Sequence, residues 1–310
     1  MTDILTMGEM LVEIMREREG IPLYEAGTFK GPYPSGAPAI CIDTAARLGC
    51  HTAIIGGVGK DDFGKCLLDR LKNDGVDVSR VIESEERATG CAFVTYFKDG
   101  SRQFIFHMGN TPAVEAKAPG RGEIQGVKYM HIMGCSLMSN PDFAQEILKT
   151  MRLLSGEGAK ISFDPNIRKE LFTDGSIHQV VREVMEQASI FLPGLEELLL
   201  ITGKNTVEEA VEACFAHPGL EILVLKNGSK GSRIYQRDSV AEVDAYPVEQ
   251  VDATGAGDCF DGAFLAGLIQ GKSVKEAAQM GAAAGALNAA AFGPMEGKIN
   301  PESLKAMMEK

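Results

Sequence analysis

Asp252-Ala253-Thr254-Gly255-Ala256-Gly257-Asp258-Cys259-Phe260-Asp261-Gly262 is the stretch on which the reading of this chain turns. Before it, Val248 to Val251 is strand-like; after it, Ala263 to Leu268 is small, apolar and helical. The two glycines and the alanine between them keep bulky side chains away from the backbone. The first N–H groups of a helix have no partner within it, and the helix dipole favours negative charge there. Such a junction is an anion site made of backbone. Asp258 stands one residue further on, in the first turn. There a carboxylate can take a proton from a nucleophile while the amides hold the charge that develops on a transferred group. Asp252 or Thr254 could act as a plain N-cap, for about 1 kcal/mol. Asp258 could merely complement the dipole, for roughly 0.3–1 kcal/mol. A cap needs one such residue, however, and has no use for Gly-Ala-Gly with carboxylates on both sides.

The totals narrow the class. The chain has 310 residues, 45% hydrophobic and 24% charged, as in ordinary globular proteins, with 35 glycines that suit many strand–helix turns. It has no apolar run of about 18 residues that would span a membrane, and Met1-Thr2-Asp3-Ile4 lacks the basic region and apolar stretch expected of a signal peptide. The seven cysteines (41, 50, 66, 91, 135, 214 and 259) form no C-x-x-C pair. Free buried thiols in a reducing compartment are expected, hence a cytoplasmic protein. A net charge of −12 argues against nucleic acid as a partner. An anionic substrate must then be held by local features.

Strand-like and helix-like runs alternate along most of the chain. Strands are expected at Ile4–Met7, Thr52–Ile55, Tyr129–Met133, Ile161–Phe163, Ile190–Leu192 and Ile222–Leu225. Helices are expected at Pro38–Leu48, Phe63–Leu71, Phe143–Leu154 and Val180–Ala188. The alternation implies an α/β fold: a doubly wound, mainly parallel sheet flanked by helices, with ligands at the strand ends. Two segments break it. Glu9 to Tyr33 is mixed. Residues 91–97 and 102–106 read as a hairpin around Lys98-Asp99-Gly100-Ser101; by itself this could be a surface hairpin.

Other motifs lie where strands give way to turns. Gly8 to Glu13 ends the first strand; Glu13 could accept hydrogen bonds or simply be a surface carboxylate. Ser35-Gly36-Ala37-Pro38-Ala39-Ile40 opens a helix, with Pro near its first turn. Gly56 to Gly64 is not a P-loop, because Asp61 follows Lys60 where Ser or Thr is required. Phe163-Asp164-Pro165-Asn166-Ile167-Arg168 follows a strand, and Arg168 could bind a carboxylate or phosphate in bidentate fashion. Leu192 to Glu197 and Lys226-Asn227-Gly228-Ser229-Lys230-Gly231 complete the set.

Together these stretches resemble the ribokinase-like (PfkB) carbohydrate kinases, over about Gly8 to Gly293. The signature near the C-terminus is usually Asp-Thr-Thr-Gly-Ala-Gly-Asp, and this chain departs from it only at Ala253. The resemblance is closest to the fructokinase and 2-keto-3-deoxygluconate kinase branches, through Asp164-Pro165-Asn166 and Arg168. It implies one kinase domain over residues 1–310, with a small β-sheet lid from about 9–34 and 89–110. It implies that Asp258 is the catalytic base and that Gly255, Ala256 and Gly257 form the anion hole. Glu13, Gly36, Ala37 and Arg168, with Asp258, would bind the sugar. Lys226, Gly228 and Gly231, with Gly255 and Gly257, would bind ATP, and Ala282 to Gly293 would shape the adenine pocket. Glu197 would organise Mg²⁺ through water. Asp252, with Thr254, Ala291 and Gly293, falls where some relatives bind a monovalent cation such as K⁺. Sugar and ATP are the implied partners, without nucleic acid or membrane. Lid edges in such proteins pair with a second copy, so a homodimer is expected.

Several departures bear on the substrate. Ser35 replaces the first glycine of the family's Gly-Gly motif, Ile40 replaces its sugar-binding Asn, and Gly194 replaces the Asn of its Asn-x-x-Glu motif. Phe104, Phe106 and His107 stand where keto-deoxygluconate kinases usually carry Tyr and Arg, which weakens the case for a sugar acid. Hexose, ketose, ribose and sugar-acid kinases stay open, as does a relative that binds sugar or nucleotide without catalysis.

Overall fold

The computed structural model describes residues 1–98, 101–167 and 176–309. Thirteen strands are present among them: β1 (Ile4–Met7), β2 (Leu11–Arg16), β3 (Phe29–Ser35), β4 (Thr52–Gly59), β5 (Val76–Ser84), β6 (Gly90–Tyr96), β7 (Arg102–His107), β8 (Tyr129–Met133), β9 (Lys160–Asp164), β10 (Ala188–Phe191), β11 (Ile222–Lys226), β12 (Ser232–Gln236) and β13 (Ser239–Val243). The helices are α1 (Ala37–Arg47), α2 (Asp62–Asn73), α3 (Gly134–Ser139), α4 (Pro141–Gly156), α5 (Ser176–Gln187), α6 (Leu195–Thr202), α7 (Val207–Phe215), α8 (Ala256–Ile269), α9 (Val274–Ala289) and α10 (Pro301–Met308).

Nine strands form one sheet in the order β13-β12-β11-β10-β9-β8-β1-β4-β5. Only the pairs that β12 makes, with β11 and with β13, are antiparallel. Successive side chains of a strand point to opposite faces, and the core divides accordingly. Ile4, Ile54 and Val224 join α1, α2, α8, α9 and α10 in one cluster. Leu5, Ile55 and Leu223 join α4 to α7 in the other. This is the doubly wound arrangement expected from the alternation of elements. No described helix is long and apolar enough to cross a membrane.

The early irregular segments form a second sheet, in the order β3-β2-β6-β7. The hairpin pairs Cys91 with His107 and Tyr96 with Arg102 across its two strands; Asp99 and Gly100 of its turn lie outside the described residues.

Two expectations need correction. Val248 to Val251 is not a strand. The Val251 and Asp252 N–H groups donate to the Ala289 carbonyl at the end of α9 (2.8 and 3.1 Å), so helix-end backbone takes the place of a sheet ladder. The strand expected at Thr52–Ile55 runs on to Gly59. Its glycines permit this: a Cβ at Gly56 would lie 2.5 Å from the Gly8 carbonyl oxygen, and one at Gly57 2.5 Å from Pro112 backbone.

Candidate active site

Helix α8 is apolar almost all round, and every residue from Asp258 to Gly267 is buried. A helix packed on all sides is a rigid mount for what its N-terminus carries. Gly262 permits this packing, because a Cβ there would stand 2.2 Å from the Cys41 carbonyl oxygen in α1. At the N-cap, Gly255 has φ 76°, and a Cβ on it would meet the Pro294 carbonyl oxygen at 2.3 Å. Only glycine fits both the left-handed backbone and that approach. Among the described residues, the Gly255 and Gly257 N–H groups have no backbone acceptor. The Ala256 N–H differs from the expected pattern, making a long 3.3 Å turn bond to Ala253.

Asp258 is 5% exposed and lines a cavity of about 160 Å³ at the strand ends. Asn166 Nδ2 donates to its Oδ1 at 2.8 Å. Asn166 sits at φ 38°, a conformation Asn tolerates better than most residues. Its own N–H donates to Asp164 Oδ1 at 2.9 Å. The expected sugar residues Glu13, Gly36 and Ala37 line the same cavity, with Glu9 and Ile40. Gly36 (φ 102°) caps α1 where a Cβ would come within 2.9 Å of the Glu9 carbonyl oxygen. Ser35 Oγ donates to Glu13 Oε1 at 2.7 Å, so the serine that departs from the family motif orients the carboxylate. Arg168 lies outside the described residues.

The second sheet closes this cavity with Phe104, Phe106 and Arg102. The two rings stack at 5.1 Å. Arg102 Nη1 donates to Thr254 Oγ1 at 3.0 Å, and the hydroxyl of Tyr96 to Asp252 Oδ1 at 3.0 Å. Asp252 also accepts from the Thr254 N–H (2.9 Å) and the Gly293 N–H (3.1 Å). Its carboxylate therefore braces the turn before α8, while Oδ2, which accepts one bond, keeps capacity for a further ligand. Reading the sequence missed Tyr96, Arg102 and Glu9. The usable signal was the hairpin itself, which pairs Tyr96 with Arg102 next to its turn.

A second cavity, of about 500 Å³, lies on the other side of the α8 N-terminus. Lys226, Gly228, Gly231, Gly257 and Phe260 line it, with Ala282, Gly285, Ala286 and Ala289 of α9. These α9 positions share one helical face, so their small side chains leave room for a flat ligand. Gly231 (φ 85°) permits the β11–β12 turn, since a Cβ would lie 2.2 Å from the Val243 carbonyl oxygen. Ala253 and Gly257 line both cavities.

Beneath them lies a buried charge cluster. Lys226 Nζ donates to Asp164 Oδ2 (2.8 Å) and to both oxygens of Asp261 (3.0 and 3.1 Å). Burial works to lower the Lys226 pKa, but the two carboxylates outweigh it and hold the ammonium charged. Burial drives Asp261 well above the usual carboxylate range, whereas Lys226 keeps Asp164 below it despite burial. His131 is fully buried; its Nδ1 is 3.0 Å from Ser162 Oγ and its Nε2 4.0 Å from Asp261 Oδ2. Burial lowers its pKa from 6.5 to about 4, so the ring is neutral and its proximity to Asp261 is not an ion pair. The depressed value sets a sign. Below 6.5 the unfolded chain takes up a proton that the folded ring refuses, so this contribution to stability is lost as pH falls toward 4. Its full size is about 3 kcal/mol. Urea midpoints from pH 7 to 4.5 should fall, less steeply in His131→Asn; equal slopes in the two proteins would contradict this.

Glu197 accepts from the Gly194 N–H (2.7 Å) and the Ile167 N–H (2.8 Å), so it caps α6 and ties down the chain after β9. Burial, then nearby Asp164, raises its pKa. No group of three or more His, Cys, Asp or Glu side chains among the described residues could hold a metal ion alone. Each Glu197 oxygen keeps capacity for a water, which fits Mg²⁺ carried mainly by phosphates and water.

Comparison with known proteins bears on the whole chain. The family model for pfkB carbohydrate kinases matches residues 1–301. Fructokinase-1 of Oryza sativa subsp. japonica is 32% identical over 317 residues, covering 99% of this chain and 97% of that protein. Fructokinase-1 of Zea mays is 32% identical over 273 residues, covering 87% and 84%. An E. coli structure provisionally assigned as ribokinase II superposes with TM-score 0.95 at 38% identity, covering 100% of this chain and 99% of its own. Its complex with ATP and Mg²⁺ gives TM-score 0.93 at 37% identity, with the same coverage. The chain belongs to the pfkB family of carbohydrate kinases.

Proposed function

We propose that this carbohydrate kinase transfers the γ-phosphoryl group of ATP to a hydroxyl of a neutral hexose or ketose of the fructose type, with Asp258 as the base. The observation that carries the reading is the shared wall: the α8 N-terminus lies between the two cavities, with Asp258 on the smaller. ATP in the larger cavity would direct its phosphates at the Gly255 and Gly257 amides. A sugar in the smaller one would bring a hydroxyl to Asp258. As the sugar oxygen bonds to phosphorus and the bond to the β-phosphate oxygen breaks, the hydroxyl proton passes to the carboxylate. Asn166 holds one oxygen of that carboxylate and so sets its orientation. Mg²⁺, bound through the phosphates with Glu197 organising its waters, would offset phosphate charge.

The choice of a neutral sugar rests on the carboxylates. Glu9, Glu13 and Asp258 all line the smaller cavity. Carboxylates accept hydrogen bonds from the hydroxyls that such a sugar offers in number. Phe104, Phe106 and Ile40 give the ring apolar contact. The similarity to the two fructokinases favours the same class. A coupled assay of ADP release over a panel of hexoses, ketoses, pentoses and sugar acids tests this. Turnover should be highest with a neutral ketohexose or hexose. Preference for a sugar acid would overturn the substrate reading, and sugar binding without turnover on any panel member would overturn the kinase reading.

A further inference from the structure

We propose that Tyr96 is a positioning residue of the phosphoryl transfer: its hydroxyl links the second sheet to Asp252 and so sets the amides at the start of α8. The inference rests on the reading above and adds to it a part for the second sheet. Amides that receive developing charge must be fixed beforehand. The turn before α8 is poorly suited to fixing itself. Residues 248–251 belong to no sheet, Ala253 is small, and Gly255 takes the left-handed backbone. Asp252, 2% exposed, holds this turn from within. Its Oδ1 accepts from the Thr254 N–H (2.9 Å) and its Oδ2 from the Gly293 N–H (3.1 Å). One carboxylate thus joins the entry of α8 to the loop after α9. Where that carboxylate stands decides where the Gly255 and Gly257 N–H groups point.

The second sheet reaches it through polar groups in a row. Arg102 Nη1 lies 3.0 Å from Thr254 Oγ1, which lies 3.2 Å from the Tyr96 hydroxyl, which lies 3.0 Å from Asp252 Oδ1. A guanidinium can only donate, a carboxylate can only accept, and each hydroxyl carries one proton. The protons therefore run one way, from Arg102 to Thr254, from Thr254 to Tyr96 and from Tyr96 to Asp252. Opposite charges at the two ends strengthen every link of such a chain. The sheet also packs against the same place. The Tyr96 ring lies 6.5 Å from that of Phe292, which meets Tyr33 of β3 edge-on at 5.8 Å. Tyr96 and Arg102 are cross-strand partners, and β7 carries Phe104 and Phe106 of the smaller cavity. The strand whose rings would meet the sugar thus also begins the chain that fixes the anion hole.

The test uses the full-length enzyme and the panel sugar that it turns over fastest, with melting curves to show that each variant is folded in the assay. Tyr96→Phe keeps the ring beside Phe292 and removes only the hydroxyl. It should lower kcat by about 10–100-fold, the range for loss of one charge-assisted hydrogen bond. KM for ATP and sugar should stay within about threefold, because a displaced catalytic group costs rate and not binding. Thr254→Val, which breaks the chain at another link and keeps its N–H, should lower kcat in the same range, and Thr254→Ser should recover most of that loss. If the chain acts as one unit, the double variant Tyr96→Phe/Thr254→Val should lie within about twofold of the slower single one. A fall in kcat smaller than about tenfold in Tyr96→Phe would overturn the assignment, since a hydroxyl that only steadies the fold changes the melting curve and spares kcat. A loss confined to KM for the sugar would overturn it too, making the hydroxyl a sugar contact. So would losses that multiply in the double variant. Asp258→Asn, run alongside, separates the two readings. If it is inactive while Tyr96→Phe keeps its kcat, only Tyr96 loses its role; if it keeps normal turnover, both readings fall.

Discussion

Asp258→Asn should lose about 10²–10⁴-fold in kcat, equivalent to about 3–5.5 kcal/mol of transition-state stabilisation, while the fold stays intact. The substitution keeps shape and volume. The amide oxygen of the new side chain can still accept from Asn166 Nδ2, now 2.8 Å from Asp258 Oδ1. What it cannot do is take a proton from the sugar hydroxyl. KM values for ATP and sugar should move little, because the Gly255 and Gly257 amides and the lining of both cavities remain. Steady-state kinetics, with a melting curve as control, make the comparison. Near-normal turnover would remove Asp258 from the chemistry.

Lys226→Met should lower stability by about 3–5 kcal/mol, measured by urea denaturation at neutral pH. The ammonium is the shared partner of Asp164 and Asp261, whose side chains are 4% and 0% exposed. Removing it leaves a buried negative charge on Asp164 uncompensated. Adding Asp164→Asn to Lys226→Met should recover part of the loss, since an apolar or neutral replacement of a whole pair is far less costly than breaking it. The prediction also separates two roles for this lysine. A residue that mainly met ATP phosphates would, when replaced, raise KM for ATP and leave the urea midpoint unchanged. The geometry favours the structural effect, because the three hydrogen bonds that Nζ makes with described residues all go to protein carboxylates.

Much of the architecture was legible because it is local. Strands such as Ile4–Met7 and Tyr129–Met133 are short apolar runs ended by turn residues, and the structure has them with those limits. The geometry of the Gly-Ala-Gly junction, with Gly255 as N-cap and Asp258 in the first turn of α8, was legible for the same reason, since it lies in consecutive residues. Val248 to Val251 misled because β-branched residues favour a strand only where a partner strand is present, and here the backbone meets the end of α9. The state of Lys226 was not legible. Its partners lie 62 and 35 residues away in sequence, and only the sheet order brings them to one point. Arg102 was read simply as the start of a strand, and Tyr96 as part of one. Their reach to Asp252 and Thr254, more than 150 residues on, depends on how the second sheet sits over α8.

The most direct test of the central claim is a crystal structure with ADP, Mg²⁺, aluminium fluoride and the best panel sugar. The account predicts the aluminium fluoride at the start of α8, accepting from the Gly255 and Gly257 N–H groups at about 2.7–3.1 Å, with a sugar hydroxyl between it and the Asp258 carboxylate. A sugar or fluoride group bound elsewhere, with Asp258 facing neither, would contradict it.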